Sequence, residues 1–258
     1  MKSSKHFKVL FLVIAIIVST SYFFQESEYL FQVLFFIFGI YLLILYVGVT
    51  RYRLNYFSKA IHSGKEKGIS LTFDDGPNPN FTNKVLDILK KHQVKATFFI
   101  IGKNIDGNEV ILKRIIDEGH IVGNHSFSHV KFFNVISPKK IVEDIEKCDN
   151  SIEKVTNLKP LFFRTPFGLT SPKIAKALKK VDHVSVGWDF RSFDTLAKSE
   201  TKLLKKLKSK ASKSSILLLH DNNEITINVL DAFLNFCKKN GIKIVSLDKM
   251  IGLKPYKE

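Results

Sequence analysis

Two long apolar runs without charged side chains open the chain and restrict what its first fifty residues can form. The first covers residues 9–24 and the second covers residues 29–49. A helix needs about 20 apolar residues to span a bilayer core, so the second run is long enough and the first is slightly short. We therefore predict a transmembrane helical hairpin as a membrane anchor over residues 1–50. A signal-peptide core or half of a re-entrant hairpin is the alternative for the first run.

The charges around these runs predict which side of a membrane the rest of the chain occupies. Three lysines, Lys2, Lys5 and Lys8, precede the first run, and a basic stretch follows the second over residues 51–67. The link between the runs contains two glutamates and neither lysine nor arginine. Positive flanks stay in the cytoplasm, so the rest of the chain is expected at the cytoplasmic face of a bacterial inner membrane. It reaches the outside only if one run does not span.

After the basic juxtamembrane linker at residues 51–67, residues 68–258 read as a single domain in which short apolar runs alternate with amphipathic stretches. An alternation of strands and helices is typical of an α/β fold with parallel strands. The strands are predicted at residues 68–73, 95–101, 120–122, 161–163, 184–188, 216–219 and 242–247, and the helices at residues 83–92, 109–118, 138–155, 172–180 and 225–239.

Polar residues cluster where five of these predicted strands end. The carboxyl ends of parallel strands meet at one mouth of an α/β barrel, so these clusters are expected to converge there. Their ionisable members are Asp74 and Asp75, then His125 and His129, then Arg164, then Arg191 and Asp194, and finally His220 and Asp221.

The residue types in these clusters match the needs of metal-assisted hydrolysis. Two histidines four residues apart on one side of a helical turn, with one aspartate, make a three-ligand site that leaves a position open for water. An ion there lowers the pKa of that water and polarises a carbonyl group. Adjacent carboxylates can divide the work of ligand and base, and an arginine can hold a carboxylate bidentately. A distant histidine can protonate a leaving amine.

Four motifs in this order resemble the polysaccharide deacetylases of the NodB-homology group, carbohydrate esterase family 4. They are Thr-Phe-Asp-Asp-Gly-Pro at residues 72–77, His-Ser-x-x-His at residues 125–129, Arg-x-Pro-x-Gly at residues 164–168 and Leu-x-His at residues 218–220. The similarity extends over about residues 68–247. It implies an irregular (β/α) barrel and metal-dependent hydrolysis of the N-acyl group of an amino sugar.

The resemblance also implies a role for each matching residue, and one divalent ion. Zn²⁺ is the first expectation for a His₂Asp site, with Co²⁺, Mn²⁺ and Ni²⁺ as alternatives. By position the general base is Asp74, which Arg164 holds in place, and the metal ligands are Asp75, His125 and His129. The general acid is His220, with Asp194 as its partner, and the oxyanion donor is the N–H of Phe167. The substrate contacts include Pro166 and Leu218.

The fourth family motif departs from its usual pattern of two acids ending in Asp-Trp. Arg191 stands where the first acid is expected, and Thr195 follows Asp194 where tryptophan is expected. An arginine at the mouth can bind a phosphate or another anionic group. The alternative is a structural ion pair. The departure concerns the wall that faces the substrate more than the chemistry.

The substrate prediction follows from the predicted side of the membrane and from charge. The net charge is +16, with a basic run at residues 202–213, and no aromatic-interleaved nucleic-acid motif is visible. We expect the lipid bilayer as partner, no nucleic acid, and an N-acyl amino sugar linked to undecaprenyl phosphate for lipid A or envelope glycan modification. One alternative is an extracytoplasmic N-deacetylase of peptidoglycan or chitooligosaccharides. Another is a non-catalytic glycan- or metal-binding membrane scaffold.

Overall fold

The computed structural model describes residues 5–211 and 215–258, and it begins with two antiparallel helices. These are α1 (Lys5–Phe23) and α2 (Leu30–Thr50), with mean hydropathies of 1.8 and 2.5 over their most apolar windows. Both are long and apolar enough to cross a membrane, and their large side chains lie on the surface. Helix α1 starts four residues earlier than the predicted run. Lys2 lies outside the described residues.

The rest of the chain is organised around a parallel sheet with the order β5-β4-β3-β2-β1-β7-β6. The curled sheet forms a half-barrel, which confirms the predicted fold class. Its strands are β1 (Ser70–Asp74), β2 (Thr97–Ile100), β3 (Ile121–Asn124), β4 (Phe162–Phe163), β5 (Val184–Ser185), β6 (Phe190–Arg191) and β7 (Ile216–His220).

Helices connect the strands and cover the sheet. Ser137 and Ser171 cap the helices that begin at Pro138 and Pro172, and each serine side chain accepts a backbone N–H of the first turn. The helices are α3 (Thr82–Lys91), α4 (Glu109–Asp117), α5 (Pro138–Thr156), α6 (Pro172–Ala177), α7 (Glu200–Lys210), α8 (Glu224–Lys239) and α9 (Leu247–Ile251).

The basic run at residues 202–213 lies mostly in α7, and its residues 212 and 213 are outside the described part of the chain. Cys148 and Cys237 are buried free thiols in α5 and α8. They pack in the main core, which the sheet shares with helices α3, α4, α5, α7 and α8.

The predicted strand at residues 242–247 is wrong. Only a single bridge joins Ile244 to Ile69, and helix α9 begins at Leu247. The chain near Ile244 is hydrogen-bonded to Ile69, the residue before β1 begins at Ser70. The Ile69 N–H donates to the Lys243 carbonyl (2.9 Å), and the Val245 N–H donates to the Ile69 carbonyl (2.9 Å). Apolar residues at 242–247 therefore pack without extending the sheet.

The predicted strand at residues 184–188 is also shorter, because β5 ends at Ser185. Beyond that point Val186 bridges to Ile61, which belongs to the segment predicted as a linker. That segment is packed onto the domain. The side chains of Tyr52, Tyr56 and Phe57 are each at most 6% exposed.

Candidate active site

Asp74, at the end of β1, is bound by a fully buried arginine. The Arg164 Nη1 donates to Asp74 Oδ1 at 2.7 Å and to the Thr72 hydroxyl at 2.8 Å. Burial lowers the pKa of the Arg164 guanidinium, and the charge of Asp74 opposes that shift. An arginine remains protonated even so, and its positive charge lies directly against the Asp74 carboxylate.

The contact between this pair uses one oxygen, whereas the sequence predicted a bidentate one. The rest of the guanidinium fork is occupied, since Nε donates to the Val186 carbonyl (3.1 Å) and Nη2 to the Gly187 carbonyl (2.9 Å). Asp74 Oδ2 is therefore left without a hydrogen bond from the described residues. It faces the His125 ring at 3.8 Å.

Asp75, His125 and His129 form the three-residue cluster that the motifs predict. One donor atom from each lies within 4.8 Å of the others. The Nε2 atoms of both histidines face Asp75 Oδ1, at 3.5 and 3.4 Å. Burial lowers the pKa of both histidines, which favours the neutral imidazole that binds metal ions.

The hydrogen bonds made by the ligand side chains also suit a bound divalent ion. His125 Nδ1 lies 2.8 Å from the Arg164 carbonyl, so it carries the proton and leaves Nε2 free as a ligand. Asn222 donates to Asp75 Oδ2 at 3.0 Å, which leaves Oδ1 directed at the histidines. His₂Asp ligation of this kind is typical of zinc and of other first-row divalent ions.

The two histidines lie on a loop, and the prediction that they share a helical turn is wrong. Ser126 (φ 68°) and His129 (φ 49°) are left-handed, which reverses the chain between the two ligands. The Ser126 hydroxyl accepts the His129 N–H at 3.1 Å. Asp144 on α5 accepts the N–H groups of Phe127 (2.7 Å) and Ser128 (3.2 Å). Side chains thus replace the hydrogen bonds that a helix would supply.

A buried polar network supports this loop from below. Asn124 accepts the Ser126 N–H at 2.8 Å and donates to Asp149 at 2.7 Å. Asp149 also receives His183 Nε2 (3.1 Å) and Lys257 Nζ (3.1 Å). Burial raises the pKa of Asp149, but the hydrogen bonds from His183 and Asn124 outweigh it and leave that pKa lowered. Sequence reasoning missed this network because its members are far apart in the chain and form no motif.

The opposite side of the mouth carries His220 at the end of β7. Its Nδ1 lies 2.8 Å from Asp194 Oδ1, and its backbone N–H donates to Asp194 Oδ2 at 2.7 Å. Burial lowers the pKa of His220, but the hydrogen bond to Asp194 and the nearby negative charges outweigh it and leave the pKa raised. The protonated ring therefore persists to higher pH than in a free histidine.

Comparison with known proteins agrees with this arrangement. A family model described as polysaccharide deacetylase matches residues 62–186. A peptidoglycan-N-acetylglucosamine deacetylase of Bacillus cereus is 32% identical over 73% of this chain and 90% of its own length. The chain belongs to the polysaccharide deacetylase family.

Two further members of the polysaccharide deacetylase family show how far the likeness extends. The Listeria monocytogenes peptidoglycan-N-acetylglucosamine deacetylase PgdA is 33% identical over 73% of this chain, and the chain spans 40% of that protein. The crystal structure of the Bc1960 peptidoglycan N-acetylglucosamine deacetylase superposes with a TM-score of 0.72 and 29% identity, covering 77% of this chain and 95% of the other.

The rim of the mouth is partly apolar. Phe167 is left-handed (φ 59°) and 42% exposed, and its ring centroid lies 4.5 Å from that of His129. Pro166 is buried beside it, and Leu218 is buried within β7. The structure thus brings Phe167 close to His129. Leu218 precedes His220 by two residues on β7, so the two side chains share one face of the strand, and the contact of Leu218 with substrate stays a prediction.

Arg191 lies on β6, with its guanidinium 5.0 Å from the Phe193 ring centroid and 5.7 Å from that of Trp188. Within residues 5–211 and 215–258 no carboxylate forms a salt bridge with it, so the alternative of a structural ion pair finds no support there. Its buried Nε has no hydrogen-bond partner among those residues.

Asp221 is a buried carboxyl that the sequence placed in the final cluster without a role. Burial raises its pKa to about 7. Its Oδ2 accepts the Thr82 hydroxyl at 2.5 Å, and its N–H reaches the Asp74 carbonyl at 3.3 Å. It therefore joins the start of α3 to the end of β1, where Asp74 lies.

Proposed function

We propose that this protein is a metal-dependent N-deacetylase acting on the acetylated amino sugars of peptidoglycan. The observation that carries the proposal is the placement of three kinds of group at one mouth. These are a carboxylate beside a buried arginine, a His₂Asp cluster, and a histidine paired with a carboxylate. Hydrolysis of an amide requires a base, an electrophile and an acid, and this mouth supplies a candidate for each.

Asp74 is the candidate base because of its uneven hydrogen bonding. Arg164 occupies Oδ1, and Oδ2 faces the cluster without a partner in the described chain. The free oxygen can accept a proton from the attacking water while Arg164 holds the other oxygen in place. After the attack, the proton resides on Asp74 Oδ2.

Asp75, His125 and His129 are the candidates to bind the ion, with Zn²⁺ as the first choice. When bound, a divalent ion there supplies a Lewis acid for the amide carbonyl and lowers the pKa of a water molecule. The backbone N–H of Phe167, on the sharp turn after Pro166, is the proposed second donor to the oxyanion.

His220 is the candidate acid on the other side. In its protonated form Nδ1–H donates to Asp194, and Nε2–H is left for the departing nitrogen. Cleavage of the C–N bond then transfers that proton to the amine, so that acetate and a free amino sugar leave. Asp194 orients the ring and stabilises its charge.

The relatives favour peptidoglycan over the lipid-linked sugar that membrane orientation predicted. Both named relatives and the superposed structure carry the name of a peptidoglycan N-acetylglucosamine deacetylase. Among the sequence alternatives, the extracytoplasmic deacetylase therefore has support from similarity, and the undecaprenyl-linked substrate has none. The non-catalytic scaffold is disfavoured because the base, ligand and acid positions are all filled.

Arg191 is proposed as the residue that adapts the mouth to an anionic neighbour of the reacting sugar. Its guanidinium lies against Phe193, which is 46% exposed, and its Nε lacks a partner within the described residues. An unpaired arginine over an aromatic ring is suited to a carboxylate or phosphate.

Acetate release from defined substrates tests the function. Full-length protein in detergent with added Zn²⁺ is incubated with N-acetylated peptidoglycan fragments, chitooligosaccharides and an undecaprenyl-phosphate N-acetyl sugar. We expect release from peptidoglycan fragments, abolished by Asp74→Asn. Release only from the lipid-linked sugar would reverse the substrate proposal, and metal binding without release from any substrate would favour the scaffold.

A reporter fused after residue 258 tests the compartment. Peptidoglycan deacetylation requires the domain outside, and the positive flanks place it inside if both α1 and α2 span in the ordinary orientation. We expect activity of a reporter that works only outside the cytoplasm. Activity of a reporter that works only in the cytoplasm would exclude peptidoglycan as the substrate.

A further inference from the structure

Residues 52–62, which we call the juxtamembrane segment, lead from the end of α2 to the sheet and lie almost entirely before the family match. Tyr52 is 4% exposed, its hydroxyl lies 2.5 Å from that of Ser185, and its ring packs on Trp188 (5.8 Å between centroids). Burial raises the pKa of Tyr52 to about 12, so its hydroxyl stays neutral.

The segment continues the sheet where β5 ends. The Ile61 N–H donates to the Ser185 carbonyl at 2.9 Å, and the Gly187 N–H donates to the Ile61 carbonyl at 2.8 Å. In the same stretch of chain, the Val186 carbonyl accepts Nε of Arg164, and the Gly187 carbonyl accepts Nη2 of Arg164. The same short strand is thus bonded to the juxtamembrane segment on one side and to Arg164 on the other.

His62 fills the space under Gly187. A Cβ at Gly187 would lie 2.2 Å from His62 Nδ1, so glycine is required for this close approach. His62 Nε2 lies 3.1 Å from the Asn55 side chain, which also accepts the Ala60 N–H and donates to the Ala60 carbonyl. Asn55 is left-handed (φ 52°) and closes the segment into a compact loop.

We propose that the juxtamembrane segment positions Arg164, and through it the base Asp74, so that the active site is completed by the chain leaving the N-terminal helices. Tyr52 and His62 are positioning residues, because they touch Ser185, Gly187 and Trp188 rather than the reacting atoms. The proposal rests on the proposed roles of Asp74 and Arg164.

The segment also makes the connection to α2 short and fixed. Tyr52 follows α2 by two residues, and the Thr170 N–H, just beyond the Phe167 turn, donates to the Val49 carbonyl of α2 at 3.1 Å. The end of α2 is therefore bonded to two walls of the mouth. These hydrogen bonds fix the orientation of the mouth relative to the N-terminal helices, which a flexible linker would leave variable.

The test uses full-length variants that remove single contacts. Tyr52→Phe removes the hydroxyl from Ser185 and retains the ring, and Gly187→Ala forces the strand away from His62. Small displacements of a catalytic group cost up to about 10²-fold in rate. We expect kcat to fall about tenfold in Tyr52→Phe and further in Gly187→Ala, with KM and bound metal unchanged. Lys59→Ala, an exposed change in the same segment, is the matched control and should stay near the wild type.

A double-mutant cycle separates positioning from general loss of stability. If Tyr52 acts through Arg164, Tyr52→Phe adds little to the loss already caused by Arg164→Lys. Losses that multiply fully, or wild-type kcat in both Tyr52→Phe and Gly187→Ala, overturn the proposal. Absence of acetate release by the wild type on every substrate is a different result, because it refutes the proposed function itself. Thermal unfolding of each variant identifies any that fails to fold.

Discussion

The two buried carboxylates at opposite sides of the mouth, Asp74 and Asp194, are bound in contrasting ways. Asp74 has one strong partner, the Arg164 cation, on one oxygen. Asp194 has both oxygens occupied, by the Ser192 hydroxyl (2.9 Å), the Thr226 hydroxyl (2.7 Å), the Thr195 N–H (3.0 Å) and two groups of His220. Burial raises the pKa of Asp194, but the hydrogen bonds from His220 and Thr226 outweigh it and lower that pKa.

This difference teaches how two carboxylates near one site can have different tasks. A carboxylate with a free oxygen can accept a proton, whereas one with both oxygens saturated can only orient and stabilise its neighbour. Asp74 fits the first description and Asp194 the second. The contrast depends on partners and not on burial, since both side chains are almost fully buried.

The largest expected effect on turnover comes from replacing Asp74, the carboxylate with the free oxygen. Asp74→Asn retains an acceptor for Arg164 but cannot take a proton, so we expect turnover to fall about 10³-fold, within the usual range for general-base catalysis. Bound metal, measured by elemental analysis, should stay at the wild-type level because Asp75 carries the ligand atom. Retained turnover would break the comparison, since Asp74 would then serve only to orient, as Asp194 does.

The next effect comes from the saturated carboxylate. Asp194→Asn removes the charge that raises the pKa of His220, and we expect turnover to fall about 10²-fold. Activity needs the protonated ring and is lost as pH rises through its pKa, so a lower pKa moves the alkaline limb of the pH–rate profile to lower pH. The profile is measured as kcat/KM from pH 5 to 10. An unmoved alkaline limb would mean that His220 is not the acid.

A third variant concerns Asp75, a carboxylate whose Oδ2 accepts a neutral hydrogen bond while Oδ1 faces the two histidines. Asn222→Ala removes the donor to Asp75 Oδ2, and loss of such an outer contact weakens metal binding by about tenfold or more. We expect a higher Zn²⁺ concentration for half-maximal activity, with kcat restored at saturating metal. Asn223→Ala serves as the adjacent control, because its side chain caps α8 instead. A kcat that stays low at saturating metal would place Asn222 in another role.

The smallest effect is expected from one neutral partner of Asp194. Thr226→Val preserves shape and removes one hydroxyl, leaving four hydrogen-bond donors on the carboxylate. We expect a loss of about 1 kcal/mol in the free energy of unfolding and a few-fold loss of turnover. Denaturant unfolding and acetate release measure the two. A loss as large as that of Asp194→Asn would show that the saturated carboxylate depends on each partner, which contradicts the comparison.

Much of the site could be predicted from the sequence because its residues lie at strand ends. Asp74, Asp75, Arg164 and His220 each follow an apolar strand, and parallel strands end at one mouth. The motif spacing adds the chemical types. The fold class followed from the same alternation of apolar runs and amphipathic stretches, whereas the final strand was mispredicted because pairing depends on where a neighbouring strand begins.

By itself, the sequence determined most of the alternating strands and helices, the apolar helices and the ionisable groups at the strand ends, all of which depend on neighbours in the chain, whereas β6, α7 and α9 were not predicted. The tertiary structure alone decided which groups support them. Asp149 meets Asn124, His183 and Lys257, and Tyr52 meets Ser185 on β5, across separations of 25 to more than 130 residues. Such contacts leave no periodic pattern, because their partners are selected by the folded path of the backbone rather than by distance along the chain.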